Sequence, residues 1–131
     1  MTTDKYTQLL DMQLLHRIWG SDLELALQEV NFWDELLGTL GTGLDPAMAN
    51  ARTWQIEIDQ LHHFRRLATR LLGDLQTLDK DVADGVRRDH VLDTETRLDQ
   101  QYLRVAMDSF LSDFRPFKTE IRHFLVAQPT F

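Results

Sequence analysis

The stretch that decides the fold of this chain is residues 9–40, LLDMQLLHRIWGSDLELALQEVNFWDELLGTL. Ten of its residues follow one another at alternating steps of three and four positions, and all but His16 are apolar. This spacing lays one row of side chains along an α-helix, with the period of a coiled coil. We call this row the seam of the first helix: Leu9, Met12, His16, Trp19, Leu23, Ala26, Val30, Trp33, Leu37 and Leu40.

The apolar face of this helix is wider than its seam. Five further apolar residues flank it, namely Leu15, Ile18, Leu25, Phe32 and Leu36. A two-stranded coiled coil needs only a narrow stripe, whereas a broad face has to be covered by two or more helices. The stretch therefore predicts a helical bundle. The seam keeps its phase across Gly20, which favours one continuous helix at that point.

The rest of the chain supplies two more helices. Gly38, Gly41 and Gly43 are expected to end the first helix, and Asp45-Pro46 to begin the second. The three predicted helices span residues 4–39, 46–86 and 93–126, and Asp93 is expected to be the N-cap of the third. The second seam takes two successive steps of three, at Ile58, Leu61 and Phe64, which predicts one local phase shift. The third seam is rich in phenylalanine: Leu103, Met107, Phe110, Phe114, Phe117, Ile121 and Phe124.

These features predict an all-α fold. We expect one domain, residues 1–131, built as an antiparallel bundle of three long helices with coiled-coil-like packing. The alternative is a four-helix bundle, if Pro116 or Gly73 breaks a helix. We favour continuous helices because Pro116 lies off the third seam, where we expect a kink, and because the apolar period continues through Gly73.

Composition limits the classes of partner. The 131 residues include 21 acidic and 14 basic ones, a net charge of −7, which disfavours nucleic acid and anionic membrane surfaces. There is no cysteine, so disulfides and thiolate chemistry are excluded. No apolar run reaches the length of a membrane span, and Met-Thr-Thr-Asp-Lys-Tyr at the start carries no apolar signal region. We expect a cytoplasmic protein.

One pattern suggests a metal site. Glu120 and His123 are three residues apart, the spacing with which ferritin-like bundles hold two metals, and Asp59 and His62 repeat it with Glu29 as a further carboxylate. Against this, Asp59 replaces a glutamate, and Glu120 and His123 lie beside the seam rather than on it. A solvated helix flank is the favoured interpretation.

His16 is the polar residue within the first seam. It could ligate a metal or haem, or act as a pH-sensitive group. The favoured alternative is a buried histidine held by a carbonyl or carboxylate of a neighbouring helix, because polar seam residues often fix helix register.

Three other groups have two interpretations each. The basic run His62-His63-Phe64-Arg65-Arg66, with Arg70, is expected to pair with acidic residues of the adjacent helix rather than bind nucleic acid. Trp19, Trp33 and Trp54 stand at seam spacing, which is more typical of a core than of a ligand pocket. Leu14 and Leu27 fall on the outward side of the first helix, where single exposed leucines are normal, but if they cluster with Leu10 they would form a patch for self-association.

The run His16-Arg17-Ile18-Trp19, followed by Leu23, Glu29 and Phe32, resembles the first helix of short uncharacterised bacterial helical proteins. Their last helix has a phenylalanine-rich end, similar to Met107–Leu125 here. The overall pattern also looks like three-helix spectrin-type bundles. These resemblances imply an all-helical bundle and carry no activity or ligand.

Almost the whole sequence is used for packing, and it contains no nucleophile elbow, glycine-rich phosphate loop, zinc-protease histidine pair or kinase signature. We therefore assign no catalytic, cofactor-binding or metal-binding residue, and favour a non-enzymatic scaffold or adaptor that contacts a protein partner or a second copy of itself. The alternative is a metal- or cofactor-binding bundle using Glu120, His123, His16 and facing carboxylates.

Overall fold

The computed structural model describes residues 2–42, 49–89 and 94–128, and it confirms the all-α fold. Helix α1 is Thr2–Gly41, α2 is Ala49–Asp89 and α3 is Thr94–Val126. No strand occurs within these three ranges. The predicted starts at Asp45-Pro46 and Asp93, and the glycine at 43, lie outside the described residues.

The helices are continuous at each position where a break was the alternative. Helix α1 passes through Gly20 and Gly38 and stops at Gly41, one of the three glycines expected to end it and two residues beyond the predicted end at 39. Helix α2 passes through Gly73, and α3 continues across Pro116. The four-helix alternative is therefore wrong, because the packed seams outweigh the local preference of glycine and proline to end a helix.

Contacts between helices fix their directions. His16 of α1 meets Asp79 near the end of α2, and Asp34 near the end of α1 meets Arg65 earlier in α2, so α1 and α2 are antiparallel. Gln100 lies beside His16 and Lys118 beside Glu29, so α3 runs parallel to α1. Helix α1 packs mainly against α2 and approaches α3 at few points.

The core follows the seams along all three helices. Its centre is an aromatic cluster in which Phe64 of α2 packs against Phe110, Phe114 and Phe117 of α3, with ring centroids 4.9–6.1 Å apart. One seam position differs at the end of α3, where Leu125 is buried and Phe124 only partly so. The three predicted seams therefore form one continuous apolar core.

Trp54 closes the end of the bundle where α1 stops. Its indole N–H donates to the Leu37 carbonyl at 2.6 Å. A Cβ atom at Gly41 would come within 2.5 Å of Cζ2 of this indole, so only glycine fits without movement. Helix α1 therefore ends at Gly41, where the packing of Trp54 leaves no room for a side chain.

Candidate functional site

His16 links all three helices at one end of the bundle. Its ring is buried, with Nδ1 hydrogen bonded to Oδ1 of Asp79 in α2 and Nε2 to Oε1 of Gln100 in α3. Trp19, one turn along α1, stacks on the imidazole with ring centroids 5.5 Å apart. Both ring nitrogens are occupied by protein groups, so in this arrangement neither is free to ligate a metal or haem. The geometry matches the interpretation of His16 as a buried histidine held by a carboxylate of a neighbouring helix.

A groove opens between α1 and α3 next to this link. Its volume is about 430 Å³, and Gln100, the partner of His16, forms part of its lining. Asp11 and Arg104 place one acidic and one basic group at its walls. The remaining lining belongs to α1 and is mostly apolar: Gln8, Met12, Leu14, Leu15 and Ile18.

The groove continues into an exposed apolar row on α1. Ile18, Leu25 and Phe32 are seven residues apart, so they lie on one line along the helix. Their side chains are 48, 55 and 54 % exposed, respectively. This row is the part of the broad α1 face that the bundle leaves uncovered, since the flanking Leu15 and Leu36 pack against the core.

The adjoining surface of α3 carries charged residues. Lys118 pairs with Glu29 of α1 at 3.2 Å, which shows that this side of α3 faces α1. Arg122 lies with its guanidinium 5.9 Å from the ring centroid of Trp33, a cation–π contact. Asp108 and Arg115 precede Arg122 by fourteen and seven residues, on the same line of the helix, and both are exposed. We call the surface formed by the exposed α1 row, the groove and this α3 line the α1/α3 face.

A second polar group is buried at the other end of the bundle. Glu57 of α2 is 3 % exposed, and its Oε2 atom has no hydrogen-bond partner among the residues that the structure describes. Burial raises the pKa of Glu57 from its usual value near 4.5 to about 7, and the negative charge of Glu120 and a hydrogen bond with that carboxyl add to the effect. Glu57 is therefore protonated below neutral pH and loses its proton as the pH rises through about 7.

The residues suggested for a metal site are not brought together. His16 lies beside Gln100, and Glu120 follows Gln100 by 20 residues of continuous helix, a separation of about 30 Å at 1.5 Å per residue. Glu29 pairs with Lys118, and His123 is exposed. Within residues 2–42, 49–89 and 94–128, no three His, Asp or Glu side chains are grouped so that they could hold a metal ion.

Two residues of the basic run pair with an acidic residue of the adjacent helix, as the sequence predicted, whereas Arg70 pairs with Asp74 of its own helix. Arg65 donates to Asp34 at 2.8 Å and to Asn31 at 3.0 Å, and His62 lies 3.7 Å from the same aspartate. Phe64 is buried in the aromatic cluster and is not available for stacking on bases. Of the leucines suggested for self-association, Leu10 and Leu14 are exposed, whereas Leu27 packs against the core.

Sequence reasoning missed Glu57, Asp79 and Gln100. The signal for two of them was the phase of the seam. Trp54, Glu57, Leu61 and Phe64 follow regular steps of three and four, so the phase shift assigned to Ile58 marks a place where Glu57 occupies the seam position. Gln100 likewise precedes Leu103 at the regular spacing and is buried. Asp79 has no such signal, because it lies beside the second seam and is half exposed.

Among the described residues, no helix combines the length and the apolar character that crossing a membrane requires. Comparison of the chain with protein-family models, with curated proteins and with solved structures gives no match. Function is therefore argued from the α1/α3 face and the buried polar groups alone.

Proposed function

We propose that this chain is a non-enzymatic helical scaffold or adaptor, and that it acts through protein–protein contacts made by the α1/α3 face. The observation that carries the proposal is the exposed row Ile18, Leu25 and Phe32, three large apolar side chains aligned along one helix beside an apolar groove. A contiguous apolar surface with a charged border is typical of a site for a protein partner.

The buried polar groups support a structural role for the interior. Both nitrogens of His16 are engaged by other helices, and Glu57 is enclosed in the core beside Glu120. Among the residues that the structure describes, neither group belongs to a cluster of three His, Asp or Glu side chains that could hold a metal ion. We therefore prefer the scaffold to a metal- or cofactor-binding bundle, and the resemblance to short bacterial helical proteins adds no activity.

The proposal includes neither nucleic acid nor membrane as a partner. The net charge of −7 disfavours both, and the basic residue Arg65 is neutralised by Asp34. A cytoplasmic location remains a prediction from the sequence.

Site-specific photo-crosslinking in the source cell tests this function. A photoreactive residue in place of Leu25 is expected to crosslink to protein, whereas the same residue in place of Gln76, exposed on α2, is expected to give little product. Equal crosslinking at both positions, or none at Leu25, would contradict the proposal. Identification of the crosslinked protein by mass spectrometry then names the partner.

A further inference from the structure

The exposed side chains of the α1/α3 face are arranged so that this face can pack against the same face of a second copy of this chain. We propose that two copies pack face to face through it, related by a two-fold axis that is perpendicular to the helices and passes at the height of Leu25. This inference rests on the proposed function, because it names the partner of the same surface. In this arrangement α1 lies antiparallel on α1 of the second copy, and α3 antiparallel on α3.

Contacts between α1 and α3 establish which residues are at the same height. His16 is beside Gln100, and Glu29 is beside Lys118. The two contacts join residues 84 and 89 positions apart, so Leu25 is level with the part of α3 from residue 109 to residue 114. A two-fold axis at this height therefore passes between Asp108 and Arg115.

The apolar row is self-complementary about this axis. Ile18 and Phe32 are each seven residues from Leu25, on opposite sides. An antiparallel partner places Ile18 against Phe32 of the second copy and Leu25 against Leu25 of the second copy. Each contact pairs side chains that are about half exposed in the single chain, and covering them removes apolar surface from water.

The two-fold axis also brings opposite charges of the two α3 helices together. Asp108 of one copy lies opposite Arg115 of the second copy, and Arg115 opposite Asp108 of the second copy. Both residues are exposed, and neither has an ion-pair partner in the part of the chain that the structure describes. These two ion pairs form because α3 packs antiparallel on α3 of the second copy, and they favour the antiparallel arrangement.

The charge of this face also allows two acidic chains to meet. Although the whole chain carries −7, acidic and basic groups are balanced on the α1/α3 face. Each acidic group of the face has a basic group near it: Asp11 and Arg104 line the groove, Glu29 pairs with Lys118, and Asp108 and Arg115 lie on the same line of α3. Long-range repulsion is thus reduced where the two copies touch.

The absence of cysteine makes a direct test possible, because any disulfide comes from an introduced thiol. Leu25→Cys is expected to form a disulfide-linked dimer on mild oxidation, since the two Cα atoms meet near the axis, within the range of about 4–7 Å that a disulfide spans. Ile18→Cys alone is expected to remain unlinked, because its copies are 14 residues apart along antiparallel helices, about 21 Å. A mixture of Ile18→Cys and Phe32→Cys proteins is expected to give the mixed disulfide.

Sedimentation of the full chain at about 100 µM provides the second measurement. We expect twice the chain mass of 15.3 kDa, and at least a tenfold weaker dimer for Leu25→Asp. Asp108→Arg and Arg115→Asp are each expected to weaken dimerisation several-fold, and the double variant, with the two charges exchanged, to restore it. Circular dichroism checks that each variant remains helical.

A monomer at that concentration, self-linking of Ile18→Cys as efficient as that of Leu25→Cys, or no rescue by the double exchange would each overturn the antiparallel dimer. The proposed function is judged separately. If the chain is a monomer while position 25 crosslinks to a different protein in cells, the dimer is wrong and the scaffold function stands. If position 25 crosslinks to nothing, the scaffold function is contradicted.

Discussion

Glu57 places a carboxyl group at a position of the second seam, where the spacing predicts a core residue. It keeps the phase of the second seam between Trp54 and Leu61, and it is buried with one oxygen unpartnered. Ionising it would leave a negative charge in the core beside Glu120. Its protonation is therefore tied to the stability of the fold.

This coupling predicts that the free energy of unfolding falls as the pH rises from about 4.5 to 7. The pKa of Glu57 is raised to about 7 in the folded chain, so the folded state binds the extra proton in that interval and loses the stabilisation as the proton leaves. We expect a loss of about 2 kcal/mol between pH 5 and pH 8, because one pKa unit corresponds to about 1.4 kcal/mol. Urea unfolding at the two pH values measures it.

Glu57→Gln is expected to remove most of this pH dependence, because glutamine does not titrate. Glu24→Gln, an exposed substitution on α1, serves as the matched control and is expected to retain it. Equal pH dependence in the Glu57→Gln variant and the parent chain would show that another group is responsible.

Gly41 and Gly38 provide a matched pair of glycines in the last turn of α1. A Cβ at Gly41 meets the indole of Trp54, whereas a Cβ at Gly38 meets nothing within 4 Å. Gly41→Ala is expected to destabilise the chain by about 1–3 kcal/mol, because the hydrogen-bonded indole has to move. Gly38→Ala is expected to stabilise it by up to about 1 kcal/mol through helix propensity. Thermal unfolding of both variants decides, and a stabilising Gly41→Ala would contradict the packing argument.

At the scale of the helices, the spacing of apolar residues predicted the continuity of each helix better than the positions of glycine and proline did. Continuity through Gly20, Gly73 and Pro116 followed from the seams, and the structure confirms it. Of the glycines expected to end α1, Gly41 does so. Gly38 lies inside the helix, because a propensity cost of about 1 kcal/mol is small beside the burial of Leu37 and Leu40. Local breaker residues therefore predict helix ends poorly where a seam continues past them.

The polar contacts between helices could be predicted only in part. His16 was identified from its place in the seam, but its partners depend on the heights at which three helices meet. Nothing in the sequence gives those heights, so neither Asp79 nor Gln100 could be assigned to it. Ile18, Leu25 and Phe32 were identified in the sequence as part of a broad apolar face, but that face was expected to be covered by other helices, whereas the structure leaves these three side chains about half exposed.

The link through His16 predicts a non-additive pair of substitutions. His16→Leu leaves the Gln100 amide buried without its partner, whereas Asp79, which is half exposed, regains water. We expect a loss of about 1–3 kcal/mol. Adding Gln100→Leu is expected to recover at least half of that loss, because no buried polar group is then left unpaired. A double-mutant cycle by urea unfolding measures the coupling, and a His16→Leu variant more stable than the parent would contradict the polar link. His123→Leu, on the exposed side of α3, is the control.

At the scale of the whole molecule, the three helices share one core, and none has a core of its own. The aromatic cluster joins α2 to α3 in the middle of that core, which α1 also enters through Leu23 and Val30. Most helical stability in proteins comes from tertiary packing of an apolar face, so these three helices stabilise one another. Loss of packing at the centre of the core is therefore expected to lower the stability of all three helices together.

Phe64→Ala tests this expectation. Removing a buried phenylalanine typically costs about 3–5 kcal/mol, a large part of the 5–15 kcal/mol that stabilises an ordinary domain. Because the core is continuous, helix content by circular dichroism and tryptophan fluorescence are expected to report one coincident transition at lower urea concentration. Fluorescence samples both ends, since Trp19 lies at the His16 end and Trp33 and Trp54 lie towards the other. Leu98→Ala, at an exposed position of α3, is expected to shift the midpoint little. Two separate transitions in the Phe64→Ala variant would show that α1 and the α2–α3 pair hold together independently of the aromatic cluster.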